Sequence, residues 1–76
     1  MQTEIETKVV AELSKMTKNK VHATSLIQNL GIDSLDLIQA VTKLEKEYNI
    51  FFTDEELLSI KTVSDITTKI IDKKSR

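Results

Sequence analysis

"LGIDSLDLIQAV", Leu30 to Val41, contains the single glycine of a 76-residue chain and, three residues later, a serine set between two acids. Glycine marks a break in regular structure, because without a Cβ it takes up left-handed backbone at little cost. Asp33 is a good N-cap, and Asp36, three residues on, stands where a capping box carries its acid. Leu37, Val41, Leu44 and Tyr48 then recur at i, i+4, i+7 and i+11, a single core stripe at helical period. The segment therefore opens an amphipathic helix, and the rest of the chain is read outward from it.

Upstream, Thr3 and Glu6 have the spacing of a capping box, and Ile5, Val9, Leu13 and Met16 follow at helical intervals. "TKNK", residues 17–20, has no apolar member and ends that helix near residue 16. The loop after it, pinned by Val21, Leu26, Ile27 and Leu30, is long for a compact domain; such loops are functional or carry a short turn of their own. Downstream, "YNIFF" breaks the period, with Tyr48, Ile50 and Phe52 alternating as in an extended connector. Thr53 and Glu56 form a second box, opening a short helix with Leu57, Leu58 and Ile60. Thr62 caps a last helix, with Val63, Ile66, Ile70 and Ile71 inward and Lys73, Lys74 and Arg76 at its negative end. No stretch has a hairpin pattern, and proline is absent. Residues 1–76 read as a single all-α domain, a small four-helix bundle of three longer helices and one short third helix.

Hydrophobic content of 39% and charged content of 30% fit a globular chain rather than a disordered one. The longest apolar run is Ile50 to Phe52, too short to span a membrane. "MQTEIETKVV" has neither an apolar signal region nor Arg-rich transit character, so the expected compartment is the cytoplasm. Without cysteine there is no disulfide frame and no thiolate, and the single histidine, His22, cannot build a zinc site; no metal is expected. Net charge is −1, but residues 31–60 carry seven acids against Lys43 and Lys46. That acidic middle either meets a basic partner or simply solvates helix faces. Nucleic acid would require a basic stripe with stacking aromatics, which is missing.

A serine at a helix start is ordinarily a cap or a solvated polar residue. Here Asp33 already serves as the cap, leaving the Ser34 hydroxyl free to face outward. A helix N-terminus favours a phosphate through its free N–H groups and positive dipole end. Leu35 lies about 160° from Leu37 around the helix, leaving an apolar side chain facing away from the core. Nucleophilic catalysis lacks its parts: Ser34 has no G-x-S-x-G setting, and His22 has no residue to orient it. Asp33 and Asp36 project from different sides of the helix end, a poor arrangement for acid–base work on one substrate. No catalytic residues are assigned, and the serine reads as a point where another protein attaches a group.

These residues resemble the attachment motif of acyl carrier proteins. The likeness includes "LGIDSLDLI", "LEKEYNI" closing the second helix, "TDEEL" opening the third and "ITTKI" within the last. The resemblance implies that Ser34 carries 4′-phosphopantetheine, transferred from coenzyme A by a magnesium-dependent phosphopantetheinyl transferase. Acyl groups would ride on its terminal thiol as thioesters, in fatty-acid or polyketide-type biosynthesis, so the reactive sulfur absent from the sequence would be imported. It further implies a noncatalytic monomer that docks acyltransferases, ketosynthases or an acyl ligase. The docking face would comprise Asp33, Leu35, Asp36, Ile38, Gln39, Thr42 and Glu45 on the second helix, with Asp54 from the third. Acyl chains would slip between helices two and three.

Several positions depart from the family pattern. Gln39 and Lys46 stand where acids are common, Thr53 where proline is frequent, and Phe51 at an often polar position; the loop before Gly31 is shorter. These departures bear on the choice of partner rather than on attachment. The reading that competes with a carrier is a small helical interaction domain, using the acidic second helix without a prosthetic group.

Overall fold

The computed structural model describes residues 2–74, with side chains for 4–74. Four helices follow one another: α1, Gln2–Ser14; α2, Ser34–Tyr48; α3, Asp54–Ser59; and α4, Val63–Lys74. No β-strand occurs among the described residues, and one antiparallel bridge joins Leu26 to Thr62. The all-α bundle of three longer helices and one short third helix is the architecture expected from the sequence.

α1 already includes Gln2, ahead of the Thr3 expected to cap it; the Thr3 side chain lies outside the described ones. Packed on both α4 and α2, the helix buries Ile5, Val9 and Leu13. It ends at Ser14, two residues sooner than its apolar stripe suggests. The Met16 N–H then turns back to the Leu13 carbonyl at 3.0 Å, so Met16 still reaches the core.

Between the apolar positions of α1 lies a charge that periodicity does not flag. Glu12 is only 5% exposed. Lys15 Nζ donates to its Oε1 at 3.4 Å, and Lys43 of α2 stands 3.9 Å from Oε2. A buried carboxylate is tolerable when flanked by cations, and removing both would leave it uncompensated. The pairing with Lys43 ties α1 to α2.

The long loop is held mainly by its backbone. The Ile27 N–H donates to the Lys61 carbonyl at 2.9 Å, the Val63 N–H to Ser25 at 3.1 Å, and the Ser64 N–H to Ala23 at 2.8 Å. Val21, Ile27 and Leu30 are buried as expected, whereas Leu26 is 40% exposed: at that position the pairing with Thr62 does the pinning. The loop does carry a turn of its own, a 3₁₀ segment at Ile27–Leu30, closed by Gly31 at φ +69°. That left-handed angle is why the position favours glycine. The Leu30 carbonyl accepts from Thr17 Oγ1 at 2.6 Å and from Asn19 Nδ2 at 3.0 Å.

The box expected at Thr53 and Glu56 forms. Thr53 Oγ1 accepts the Glu56 N–H at 3.1 Å, while Glu56 Oε1 accepts the Thr53 N–H at 2.9 Å. Proline at 53 would lack the N–H for the second bond. Before α4, Asp65 Oδ2 accepts the Lys61 and Thr62 N–H groups at 2.9 and 3.0 Å, and Thr62 Oγ1 accepts the Asp65 N–H at 3.3 Å. The Thr62 and Lys61 amides hold the Asp65 carboxyl below the usual range. Arg76, expected at the negative end of α4, lies outside the described residues.

One buried group is unsatisfied in the middle of α4. Thr67 is buried, and its Oγ1 has no hydrogen-bond partner. Valine keeps the shape and removes the stranded hydroxyl, so Thr67→Val should stabilise by about 1 kcal/mol, or about 4–8 °C in Tm for a domain of this size. Thermal melts of the two proteins check this; a lower melting point in the variant would show that the hydroxyl contributes to stability.

Candidate functional site

Ser34 is the first residue of α2. Asp33 precedes it in extended backbone and accepts the Leu35 N–H on Oδ1 at 3.1 Å, as expected of the cap. Asp36 makes no reciprocal bond to Asp33 among the described residues; the box that Thr53 and Glu56 complete uses the longer glutamate side chain. Ser34 itself is exposed, and its hydroxyl makes no hydrogen bond among the described residues. A phosphate esterified there would stand at the positive end of a 15-residue helix. Phosphopantetheine therefore fits on two counts: the oxygen is available, and the cap does not depend on it.

One recess has this serine in its wall, and a second adjoins it. The first is a groove of about 440 Å³ with mixed polar and apolar walls, formed by Ser34, Gln28, Ile32 and Lys61 among others. The second is an apolar cavity of about 310 Å³ between α2 and α3, walled by Leu37, Ile38, Val41, Leu57, Leu58, Ile60 and Ile66, with Asp54 at its edge. Leu37 and Ile60 line both, so the two recesses adjoin. A polar tether rooted at Ser34, with an apolar cargo at its end, would meet the two environments in that order.

The expected docking residues divide in two. Asp33, Leu35, Ile38, Gln39, Thr42 and Asp54 are exposed, and Asp36 and Glu45 are half-buried. Glu45 Oε2 accepts the Phe52 N–H at 2.8 Å, so that oxygen is occupied with the α2–α3 connector. Leu35, 68% exposed, sits where the helical angle placed it, facing away from the core. His22 is exposed in the loop, and its N–H bonds Ser25 Oγ.

Sequence reasoning did not single out the cavity walls on α3 or the groove residues Gln28 and Lys61. A signal existed for the former. Leu57 and Leu58 are adjacent in a six-residue helix and cannot both face one core. Leu58 is 79% exposed, an apolar side chain at the cavity rim.

The family model described as "Phosphopantetheine attachment site" matches residues 7–70. The chain is 48% identical over 68 residues to an acyl carrier protein homolog of Mycoplasmopsis pulmonis, covering 90% of this chain and 92% of that one. It is 37% identical over 75 residues to the acyl carrier protein of Rickettsia typhi, with 93% and 87% covered. With the acyl carrier protein of Wolinella succinogenes the identity is 34% over 67 residues, covering 88% of each.

Proposed function

Because the chain belongs to the acyl carrier protein family, we propose that Ser34 is the residue to which its 4′-phosphopantetheine is joined, in service of fatty-acid or polyketide-type synthesis. The bound group supplies a thiol on which acyl chains are carried as thioesters. The observation that carries the assignment is the exposed Ser34 at the start of α2, its hydroxyl without a hydrogen bond among the described residues, in the wall of a groove that adjoins an apolar cavity. This chain's part is to present that oxygen; a phosphopantetheinyl transferase brings coenzyme A, magnesium and the base that takes the serine proton. The protein is a noncatalytic carrier in the cytoplasm, acting as a monomer. Among the described residues no helix is long and apolar enough to cross a membrane.

Incubation with coenzyme A, magnesium and a promiscuous transferase should add one arm, read by intact mass and located by peptide mapping. An arm on Ser14, Ser25, Ser59 or Ser64 overturns the assignment. Absence of any arm would favour the interaction-domain reading.

Partner enzymes would dock on the face of α2 beside the serine. Leu35 and Ile38 offer exposed apolar contacts there, and Asp33, Asp36 and Asp54 offer negative charge to a basic surface. Asp36→Lys should lower kcat/KM with a cognate acyltransferase or ketosynthase on the order of tenfold, by setting like charge against like. The wild-type association rate should also fall as salt rises. Insensitivity to both changes would reduce the acidic face to solvation.

A further inference from the structure

α3 forms one wall of the apolar cavity, yet it has little to hold it in place. It is six residues long, far below the length at which a helix persists unaided, and none of its residues is fully buried. Its Leu58 side chain is mostly in solvent, and its last turn ends on an Ile60 N–H to Leu57 carbonyl bond of 3.4 Å. The firm attachment is at the other end. Lys73, in the last turn of α4, donates Nζ to Glu56 Oε1 at 2.8 Å, and the same oxygen accepts the Thr53 N–H. Both partners are substantially shielded, with side chains 18% and 28% exposed, so the contact is screened less than an open surface pair. The ammonium also stands 5.7 Å from the ring centroid of Phe52, which is buried in the core.

We propose that Lys73 is a positioning residue for the acyl cavity: through Glu56 it latches α3 against α4, and so sets how firmly a bound chain is enclosed. The idea rests on the carrier reading for its cargo, but the latch itself is a property of the unloaded protein. The groups converge on one point, where a single carboxylate oxygen serves both as the capping acceptor of α3 and as the anchor for α4. Lys73 and the Thr53 amide hold the Glu56 carboxyl down to about 2, so it is ionised throughout the neutral range. With a folded-state pKa depressed from 4.5, the contact contributes fully above about pH 4.5 and is lost as pH falls through about 2. Without the latch, α3 would swing from its connectors at Thr53 and Ile60, opening the cavity further on the side that Leu57 walls.

The test uses Lys73→Met, which keeps an unbranched side chain near Phe52, and Glu56→Gln, which keeps the size of the capping side chain. In the unloaded protein, hydrogen exchange at Leu57, Leu58 and Ile60 should quicken about three- to tenfold in both variants. Exchange at Val9 and Ile66, in α1 and α4, should stay as in the wild type. In octanoyl-loaded protein, hydroxylamine should cleave the thioester faster in both variants than in the wild type, while acetyl-loaded forms should react alike. Unchanged exchange in α3, or equal acceleration across α1, α3 and α4, overturns the latch. Quickened α3 exchange with no change in octanoyl cleavage overturns the link to cargo. Failure of the wild type to accept any arm would refute the carrier reading and the cargo role, while the exchange comparison would still decide whether the latch exists.

Discussion

Ser34→Ala should remain folded and accept no arm at all. Loss should be complete because attachment needs an oxygen at that position, and no neighbouring residue presents a hydroxyl at the start of α2. Folding should survive because Ser34 contributes little to the fold. The Leu35 N–H is capped by Asp33, the Leu37 N–H bonds the Asp33 carbonyl at 2.9 Å, and the serine hydroxyl bonds nothing among the described residues. Surface substitutions of this kind fall within about 0.5 kcal/mol, so the melting temperature should move by only a few degrees. Intact mass after incubation with coenzyme A and a transferase reads the first expectation, and a thermal melt reads the second. A variant that still gains mass would place the attachment elsewhere. One that unfolds would show that the serine supports the helix start after all.

The opposite dependence identifies the cap. Asp33→Ala leaves the hydroxyl in place but removes the acceptor for the Leu35 N–H, and losses of this type are about 1 kcal/mol. Exposure of the hydroxyl and support of the helix start are thus divided between adjacent residues, Ser34 presenting the oxygen and Asp33 holding the backbone beside it.

That division was legible in the sequence because it is local. A cap, a glycine and a stripe at i, i+4, i+7 and i+11 lie within one segment, and Asp33, Gly31, Val41 and Leu44 all take the expected places. The Thr53–Glu56 box was legible for the same reason. What escaped depends on separation along the chain. Glu12 lies among apolar positions of α1, and one of the two cations that flank its carboxylate, Lys43, is supplied by another helix. Glu45 looks like one more surface acid, until the connector folds back to place the Phe52 N–H on it. Leu26 has the composition of a core residue, yet its exposure follows from a backbone pairing with Thr62 across 36 positions of sequence. The cavity escapes periodicity too, and only the family resemblance anticipated a space between helices two and three. Its walls come from α2, α3 and α4, and hydrophobic periodicity reports which side of a helix is apolar but not whether that side is filled.

An octanoyl-loaded carrier should melt well above the acetyl-loaded one. The cavity has room on the order of 310 Å³, its lining is almost wholly apolar, and it adjoins the groove that contains Ser34. Each methylene taken out of water stabilises by about 0.8 kcal/mol, so the roughly six additional methylenes of an octanoyl group give a gross gain near 5 kcal/mol. Part of that is forfeited because the recess is open at Leu58 and the chain loses conformational freedom inside it. A net gain of about 2 kcal/mol corresponds to roughly 8–16 °C for a domain of this size. An acetyl group, with a single methyl beyond its carbonyl, should leave the melt close to that of the unloaded holo form. Scans of unloaded, acetyl- and octanoyl-loaded protein decide the matter, because the three share the same arm and differ only in cargo. Identical melts would mean that the cavity closes when the arm is attached or that the cargo stays outside it. In that event the apolar wall of α3 would need another occupant, and a specialised pathway carrying short or polar acyl groups would account better for this chain than fatty-acid synthesis does.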